Sequence, residues 1–215
     1  MEKHTSHQKK MNRAEAEAFV EITRTIFAPI YPTIAEQIVE RCGITRGVCI
    51  DLGSGPADLA VAFAKHTGMK VYALDHSPHM NRVARQNIAE RGETGLVIPV
   101  LGNVHEIPFG DDFADLVISR GSIFFWDDLS AVYREVVRVL KPGGRGYIGG
   151  GFGTAHLQRE ITEKMKSYAG WEKKVRKRLG KENIRKMKEM LSGITFCPPT
   201  FIEDETGFWI MISKP

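Results

Sequence analysis

Short, continuous apolar runs recur along this chain, and the segments between them return apolar residues every three or four positions. The runs at 47–52, 70–75, 96–101, 114–119 and 144–150 predict strands, since they are apolar throughout rather than on alternate positions. Helical patterns fill 56–67, 78–91 and 127–140, the last stopped by Lys141-Pro-Gly-Gly. Such strand–helix alternation predicts a parallel sheet with helices on both faces. Ahead of it, Ala14, Ala18, Ile22 and Ile26 recur at four-residue spacing in a helical pattern from Asn12 to Phe27 that follows a disordered start. Phe27-Ala-Pro-Ile-Tyr-Pro32 interrupts the pattern, because proline does not fit a helix interior. A second helix is expected from Thr33 to Arg41, closed by Gly43. Beyond Gly153 the chain predicts a helix near 154–168, a basic helical stretch near 171–191, and closing strands at 195–203 and 207–213. The expectation is one α/β domain, a doubly wound and mostly parallel seven-stranded sheet. Its parts are an N-terminal helical cap (1–43), a core (44–150), and basic helices with closing strands (151–215).

The junction between the first strand and its helix carries the first candidate chemistry. Glycines at 53 and 55 allow a sharp turn and a close approach to a ligand that a Cβ would obstruct. Pro56 suits the first turn of the following helix. A strand–turn–helix at the carboxyl end of a parallel strand is a common seat for an adenosine-containing cofactor. Asp75 ends the next strand, 24 residues after Asp51, where a carboxylate can accept both ribose hydroxyls. The structural alternative is a helix N-cap, because Asp75-His-Ser77 opens a helix. A dinucleotide fingerprint asks for glycine where this chain has Asp58, and an acid at a helix N-terminus repels a pyrophosphate. A cofactor without phosphates escapes that repulsion. S-adenosylmethionine, a sulfonium with a zwitterionic tail, fits.

Composition changes this picture little. The chain is 42% hydrophobic and 26% charged, as ordinary folded proteins are. No apolar run approaches the roughly 20 residues that span a bilayer, and the polar start Met1 to Lys10 lacks the apolar centre of a signal peptide. Cys42, Cys49 and Cys197 are widely spaced and suggest neither a disulfide framework nor a metal site, which favours the cytoplasm. The net charge of +4 is uneven, since 164–188 holds eleven Lys/Arg against two Asp/Glu. A solvated helical face accounts for that run, with RNA or an anionic substrate as the sharper alternative.

Five segments in order across 45–150 narrow the possibilities: Val48-Cys-Ile-Asp-Leu-Gly-Ser-Gly-Pro56, Tyr72-Ala-Leu-Asp75, Gly102-Asn-Val-His-Glu-Ile-Pro-Phe109, Phe113-Ala-Asp-Leu-Val-Ile-Ser119 and Tyr133-Arg-Glu-Val-Val-Arg-Val-Leu-Lys-Pro-Gly-Gly144. On these the chain resembles the class I, Rossmann-like S-adenosylmethionine-dependent methyltransferases, in particular the small stand-alone type that includes the ubiquinone/menaquinone-biosynthesis enzymes. The resemblance implies S-adenosyl-L-methionine as donor and S-adenosyl-L-homocysteine as product. It implies that Asp51 organises the turn and that Gly53, Ser54 and Gly55 meet the methionine portion. Asp75 would bind the ribose, with His76 and Met80 beside the adenine. Asn103 stands where the family often has an acid, and its amide oxygen could accept the adenine amino N–H, with Val104 and His105 alongside. Ser119 and Arg120 would lie along the methionine tail, and Tyr31 would cover the cofactor. Ala57 replaces a glycine common in relatives.

Methyl transfer from a sulfonium is an in-line displacement, so positioning and desolvation can supply most of the rate. An acceptor wall is expected from Ser122, Phe124, Phe125 and Trp126 in the loop after the fourth strand, together with Phe27. Phe124 and Phe125 would equally suit core positions. No general base is evident. His105, Tyr31, Tyr147 and His156 are candidates, the last beyond a glycine-rich segment (149–153) that could serve as a lid. The expectation is a methyltransferase for a small-molecule acceptor. Its alternatives are an RNA or protein methyltransferase docking through 164–188, a non-catalytic S-adenosylmethionine-binding module, and a nicotinamide dehydrogenase, which Asp58 disfavours. Ser119-Arg-Gly-Ser stands where a nucleobase methylase would carry Asn/Asp-Pro-Pro-aromatic.

Overall fold

Helices α1 (Arg13–Thr25) and α2 (Ile30–Cys42) precede an alternation of strands and helices. It runs β1 (Val48–Leu52), α3 (Asp58–Thr67), β2 (Lys70–Asp75), α4 (Pro78–Glu90), β3 (Val97–Leu101), β4 (Ala114–Arg120), α5 (Leu129–Val139) and β5 (Leu140–Gly151). Then come α6 (Ala155–Met165), α7 (Trp171–Leu179), α8 (Lys181–Ser192), β6 (Thr200–Asp204) and β7 (Gly207–Ser213). This computed structural model describes residues 13–215, with side chains from residue 17. The expected disordered start, the polar N-terminal segment, Asn12 and the Ala14 side chain lie outside the described residues.

The sheet order is β3-β2-β1-β4-β5-β7-β6, with β1 to β5 parallel and β7 antiparallel between β5 and β6. Helices α2, α3, α4 and α6 cover one face, and α5 and α8 cover the other. Because both faces are covered, strand residues of either parity are apolar; Leu116 and Ile118 of β4 face one layer, Val117 the other. In α2, Ile30, Ile34 and Ile38 repeat every fourth residue and are fully buried. Each contributes about 1.5–3 kcal/mol of apolar burial. The mostly parallel, doubly wound sheet and its N-terminal helices match the expectation.

Several boundaries moved for identifiable reasons. Helix α2 starts at Ile30, three residues before the expected start, with Pro29 as its N-cap. Pro32 sits in the first turn, where backbone N–H groups have no intrahelical acceptor, so the ring costs nothing there. Helix α3 starts at Asp58 rather than 56, leaving Pro56 in the turn and Ala57 as a left-handed N-cap with φ 66°. The basic stretch is two helices, broken at Gly180, where a Cβ would strike the Arg176 carbonyl. The glycine run at 149–151 is ordered strand, not lid. A Cβ at Gly149 would collide with the Phe208 carbonyl of β7, and one at Gly151 with that of Thr206.

Candidate functional site

Connections after β1, β2, β3, β4 and β5 all emerge at one edge of the sheet, where ligands of open α/β folds bind. The β1–α3 turn has positive φ at Gly53 (65°), Gly55 (54°) and Ala57 (66°), which reverses the chain within five residues. Three backbone N–H groups fix it, two on carbonyls and one on a side-chain carboxylate. Ser54 N–H donates to the Leu74 carbonyl (3.0 Å), Ala57 N–H to the Ser54 carbonyl (2.9 Å), and Gly55 N–H to Asp75 Oδ2 (2.9 Å). The other carboxylate oxygen, Asp75 Oδ1, accepts from Ser77 N–H (2.8 Å). Ser77, not Asp75, caps α4, its hydroxyl accepting from Met80 N–H. Asp75 therefore joins the glycine turn to the start of α4. Met80 is buried behind it, and the imidazole of His76 is exposed.

Asp51 lies beneath the turn, 2% exposed, and its Oδ2 has no hydrogen-bond partner. Burial first, and the neighbouring Asp75 charge second, hold its carboxyl well above the usual carboxylate range, opposed by the Ala60 N–H. The Ser54 hydroxyl is also buried without a partner. A buried orphan acceptor, an orphan hydroxyl and a second carboxylate beside backbone turned out by glycines suit hydroxyl, ammonium or sulfonium groups, and the residues present fit S-adenosylmethionine. Gly55→Val should abolish this fit. It forces a β-branched residue into a left-handed conformation, at about 1–2 kcal/mol, with Phe19 of α1 already 3.7 Å from the Cβ position. Calorimetry with S-adenosylhomocysteine should show at least roughly ten-fold weaker binding with the fold retained. Unchanged binding would put the cofactor elsewhere.

Asp58 requires a correction. Its carboxylate does not face the turn, and so says nothing about pyrophosphate. It is 2% exposed and bonded to Arg91 (2.7 Å) and Asn87 (3.2 Å). Burial raises its pKa, and Arg91 opposes the rise.

After β3, the Asn103 amide oxygen accepts from His105 N–H (3.0 Å) and lies 3.1 Å from His105 Nδ1. The opposite ring nitrogen of His105, Nε2, accepts from Asp128 N–H (3.3 Å), which places the proton on Nδ1. Nε2 thus ties this loop to the start of α5 while Nδ1 holds the loop to itself, with Val104 buried beneath. The Asn103 oxygen is occupied internally, so its amide Nδ2 is the group left for an adenine.

Leaving β4, Ser119 and Ser122 both donate to the Leu52 carbonyl (2.8 Å each) and stand 2.6 Å apart. Ser122 thereby fills the space a Cβ on Gly53 would need. Arg120 points to the opposite layer. Its Nε and Nη2 donate to the Gly151 carbonyl (3.2 and 3.1 Å). Its guanidinium lies over Phe27 (5.0 Å), Phe152 (5.8 Å) and Tyr31 (5.9 Å). Burial pulls the Arg120 pKa down and pushes the Tyr31 phenol well up, so the phenol stays protonated. Trp171 completes this aromatic group, 5.5 Å from Phe27. Phe124 packs over Gly150, where a Cβ would strike its ring, and Phe125 is exposed under the Arg178 guanidinium (4.5 Å). Trp126 packs partly against the opposite layer. Phe152, Trp171 and Arg178 were not singled out in the sequence: Phe152 ended a glycine run, and the helical stretch was weighed only for its net charge.

Two base candidates fall outside the site. Tyr147 is fully buried, stacked on Trp209 (4.5 Å), and its hydroxyl is held by Arg41 (2.7 Å), which pairs with Asp204. His156 lies on the exposed side of α6, 3.7 Å from Glu160. His105 has both nitrogens engaged, so of the four only Tyr31 remains at the cofactor edge, and it is protonated. Among the described residues no His/Cys/Asp/Glu group could hold a metal, and the three cysteines are free and buried.

The methyltransferase domain family matches residues 50–148. A Methanococcus maripaludis protein of known structure, proposed to be an S-adenosyl-L-methionine-dependent methyltransferase, is 44% identical with a TM-score of 0.91, over 100% of this chain and 97% of that one. The demethylmenaquinone methyltransferase of Geobacillus kaustophilus is 35% identical over 112 residues, which is 51% of this chain and 47% of that protein. The ubiquinone/menaquinone biosynthesis C-methyltransferase of Vibrio vulnificus is 35% identical over 98 residues, 45% of this chain and 38% of that protein. The chain thus spans less than half the length of these two relatives.

Proposed function

From the premise that this chain belongs to the S-adenosylmethionine-dependent methyltransferases, we propose that it transfers a methyl group from that donor to a small-molecule acceptor. The observation that carries this is the juxtaposition of two surfaces at one sheet edge. A glycine turn with buried, incompletely partnered Asp51 and Ser54 stands beside an aromatic group of Phe27, Tyr31, Phe152 and Trp171. S-adenosylmethionine supplies an electrophilic methyl on a sulfonium. Asp51, Gly53, Ser54, Gly55 and Asp75 would hold it, with Met80, His76, Val104 and the Asn103 amide around the adenine and Ser119 near the tail.

The residues on the acceptor side exclude water and orient. Phe27, Tyr31, Phe152 and Trp171 form an apolar wall, and aromatic faces stabilise a nearby cation. With Tyr31 protonated and His105 engaged on both nitrogens, this chain offers positioning rather than proton abstraction. The reading therefore favours an acceptor that is itself a strong nucleophile at neutral pH. The relatives named for quinone precursors support a small acceptor. The cationic residues of α8 give a docking surface little support, since Arg185 and Lys186 pair with Glu182, and Lys188 with Glu203. No described helix is long and apolar enough to cross a membrane, and we place the protein in the cytoplasm, where free buried cysteines persist.

Incubation with methyl-labelled donor and a fractionated metabolite extract, with products identified by mass, tests the reading. Label in a small molecule with formation of S-adenosylhomocysteine is expected. Label appearing only in RNA or protein would overturn it.

A further inference from the structure

Arg120 and Arg178 come from distant parts of the sequence, the end of β4 and the end of α7, and are both brought to the end of β5 on the acceptor side of the site. Arg120 is anchored on the Gly151 carbonyl, and Leu179, next to Arg178, packs at Gly150 beside Phe124. Both guanidiniums lie against aromatic rings, Arg120 among Phe27, Tyr31 and Phe152, and Arg178 on Phe125. Among the described residues, neither arginine forms an ion pair with a carboxylate. Other semi-buried cations do find one: Arg41 pairs with Asp204, Arg91 with Asp58, Arg138 with Glu135. Tyr31 cannot serve as counter-ion because its phenol is protonated.

A guanidinium taken out of water without an opposing charge is costly, and a second one beside it adds repulsion. The repulsion is felt here, since burial and the Arg120 charge both lower the Arg178 pKa. Cation–π contact offsets part of the cost but brings no negative charge. Guanidinium forks match the planar oxygen pairs of carboxylates and the oxygens of phosphates, which lysines do as point charges only.

We propose that Arg120 and Arg178, flanked by Phe27, Phe125 and Phe152, form a recognition site for an anionic group, a carboxylate or phosphate, carried by the methyl acceptor. This rests on the methyltransferase reading. An aromatic or prenylated carboxylic acid or phosphate satisfies both the rings and the charges. The same chemistry has a second source, the carboxylate of the cofactor's own methionine tail, and the site lies on the β5 side of β4, beyond the β1–α3 turn.

Benzoate, inorganic phosphate and the neutral benzyl alcohol, titrated calorimetrically against the chain saturated with S-adenosylhomocysteine, separate the sources. For the acceptor site, benzoate or phosphate binds the loaded chain and benzyl alcohol binds at least about ten-fold more weakly. Arg178→Met then weakens anion binding about ten-fold while S-adenosylhomocysteine affinity stays within about two-fold, and Arg178→Lys falls between. If anions bind only the unloaded chain and Arg178→Met weakens S-adenosylhomocysteine, the carboxylate belongs to the cofactor and the proposal fails. It fails also if benzoate and benzyl alcohol bind alike, or if neither anion binds. Absence of S-adenosylhomocysteine binding by the unaltered chain would instead sink the methyltransferase reading. Anion binding lost in Arg178→Met would even then leave the two-arginine site standing.

Discussion

Asp75→Ala is expected to weaken S-adenosylhomocysteine binding by about 1.5–3 kcal/mol, roughly ten- to 150-fold in Kd. Two losses combine in that figure. One is the pair of acceptor oxygens proposed for the ribose. The other is the clamp between Gly55 and Ser77, whose N–H groups both donate to this carboxylate. Asp75→Asn keeps one acceptor oxygen and should fall between the native chain and the alanine variant. Calorimetry reads the affinity and thermal melting reads the clamp. A lowered Tm with unchanged affinity would reassign Asp75 to holding the turn alone.

The second large effect is on stability. Arg91→Ala removes the ion-pair partner of a carboxylate that is 2% exposed, leaving Asn87, Thr23 and the Arg24 charge to stabilise it. Breaking a buried pair from one side costs about 3–5 kcal/mol, and a value near 3 is expected because the Arg91 side chain is 33% exposed. Without Arg91 the burial that already lifts the Asp58 pKa is opposed only by Asn87, Thr23 and the Arg24 charge, so the pKa rises further. The folded state then binds a proton more readily than the unfolded one, so the variant's stability is fullest below the ordinary carboxylate pKa. It is lost as pH rises through the folded value. Urea unfolding at about pH 5 and pH 8 should show the deficit shrinking at the lower pH. Asp58→Asn combined with Arg91→Ala should restore most of the loss. A deficit independent of pH would mean that Arg91 matters for packing rather than charge.

The parts of the fold visible in the sequence were those set by local periodicity. Strands β1 to β4 are legible to within a residue at every end, because residues covered on both faces leave an unbroken apolar run. Proline position was misjudged where it depended on a helix's own numbering: Pro32 reads as a breaker until Ile30 is known to start α2. The basic helical stretch shows no break in the sequence because Gly180 is a single residue in a charged segment, and only the Arg176 carbonyl shows why nothing larger fits.

At the site, the glycine turn and Asp75 were legible because they lie within one strand–turn–helix unit. Asp58 was misread for the complementary reason. Its meaning depends on Arg91, 33 positions away at the C-cap of another helix, which turns an apparent repulsion toward ligands into an internal ion pair. Tyr147 and His156 are candidates in the sequence because each follows or ends a segment that could reach the carboxyl edge of the sheet. Their surroundings, Trp209 and Arg41 for one and solvent for the other, are set by long-range packing that no motif encodes.

Helices α1 and α2 bring Phe19, Phe27 and Tyr31 to the carboxyl edge of the sheet, and α7 brings Trp171 and Arg178. All five lie outside residues 50–148, the stretch that matches the domain family. The proposed donor seat thus lies inside that stretch, while much of the proposed acceptor wall comes from the flanks. Exchanging both flanks between two such proteins should move acceptor preference with the flanks and leave the donor unchanged, whereas drift within the shared core would alter how tightly the donor is held.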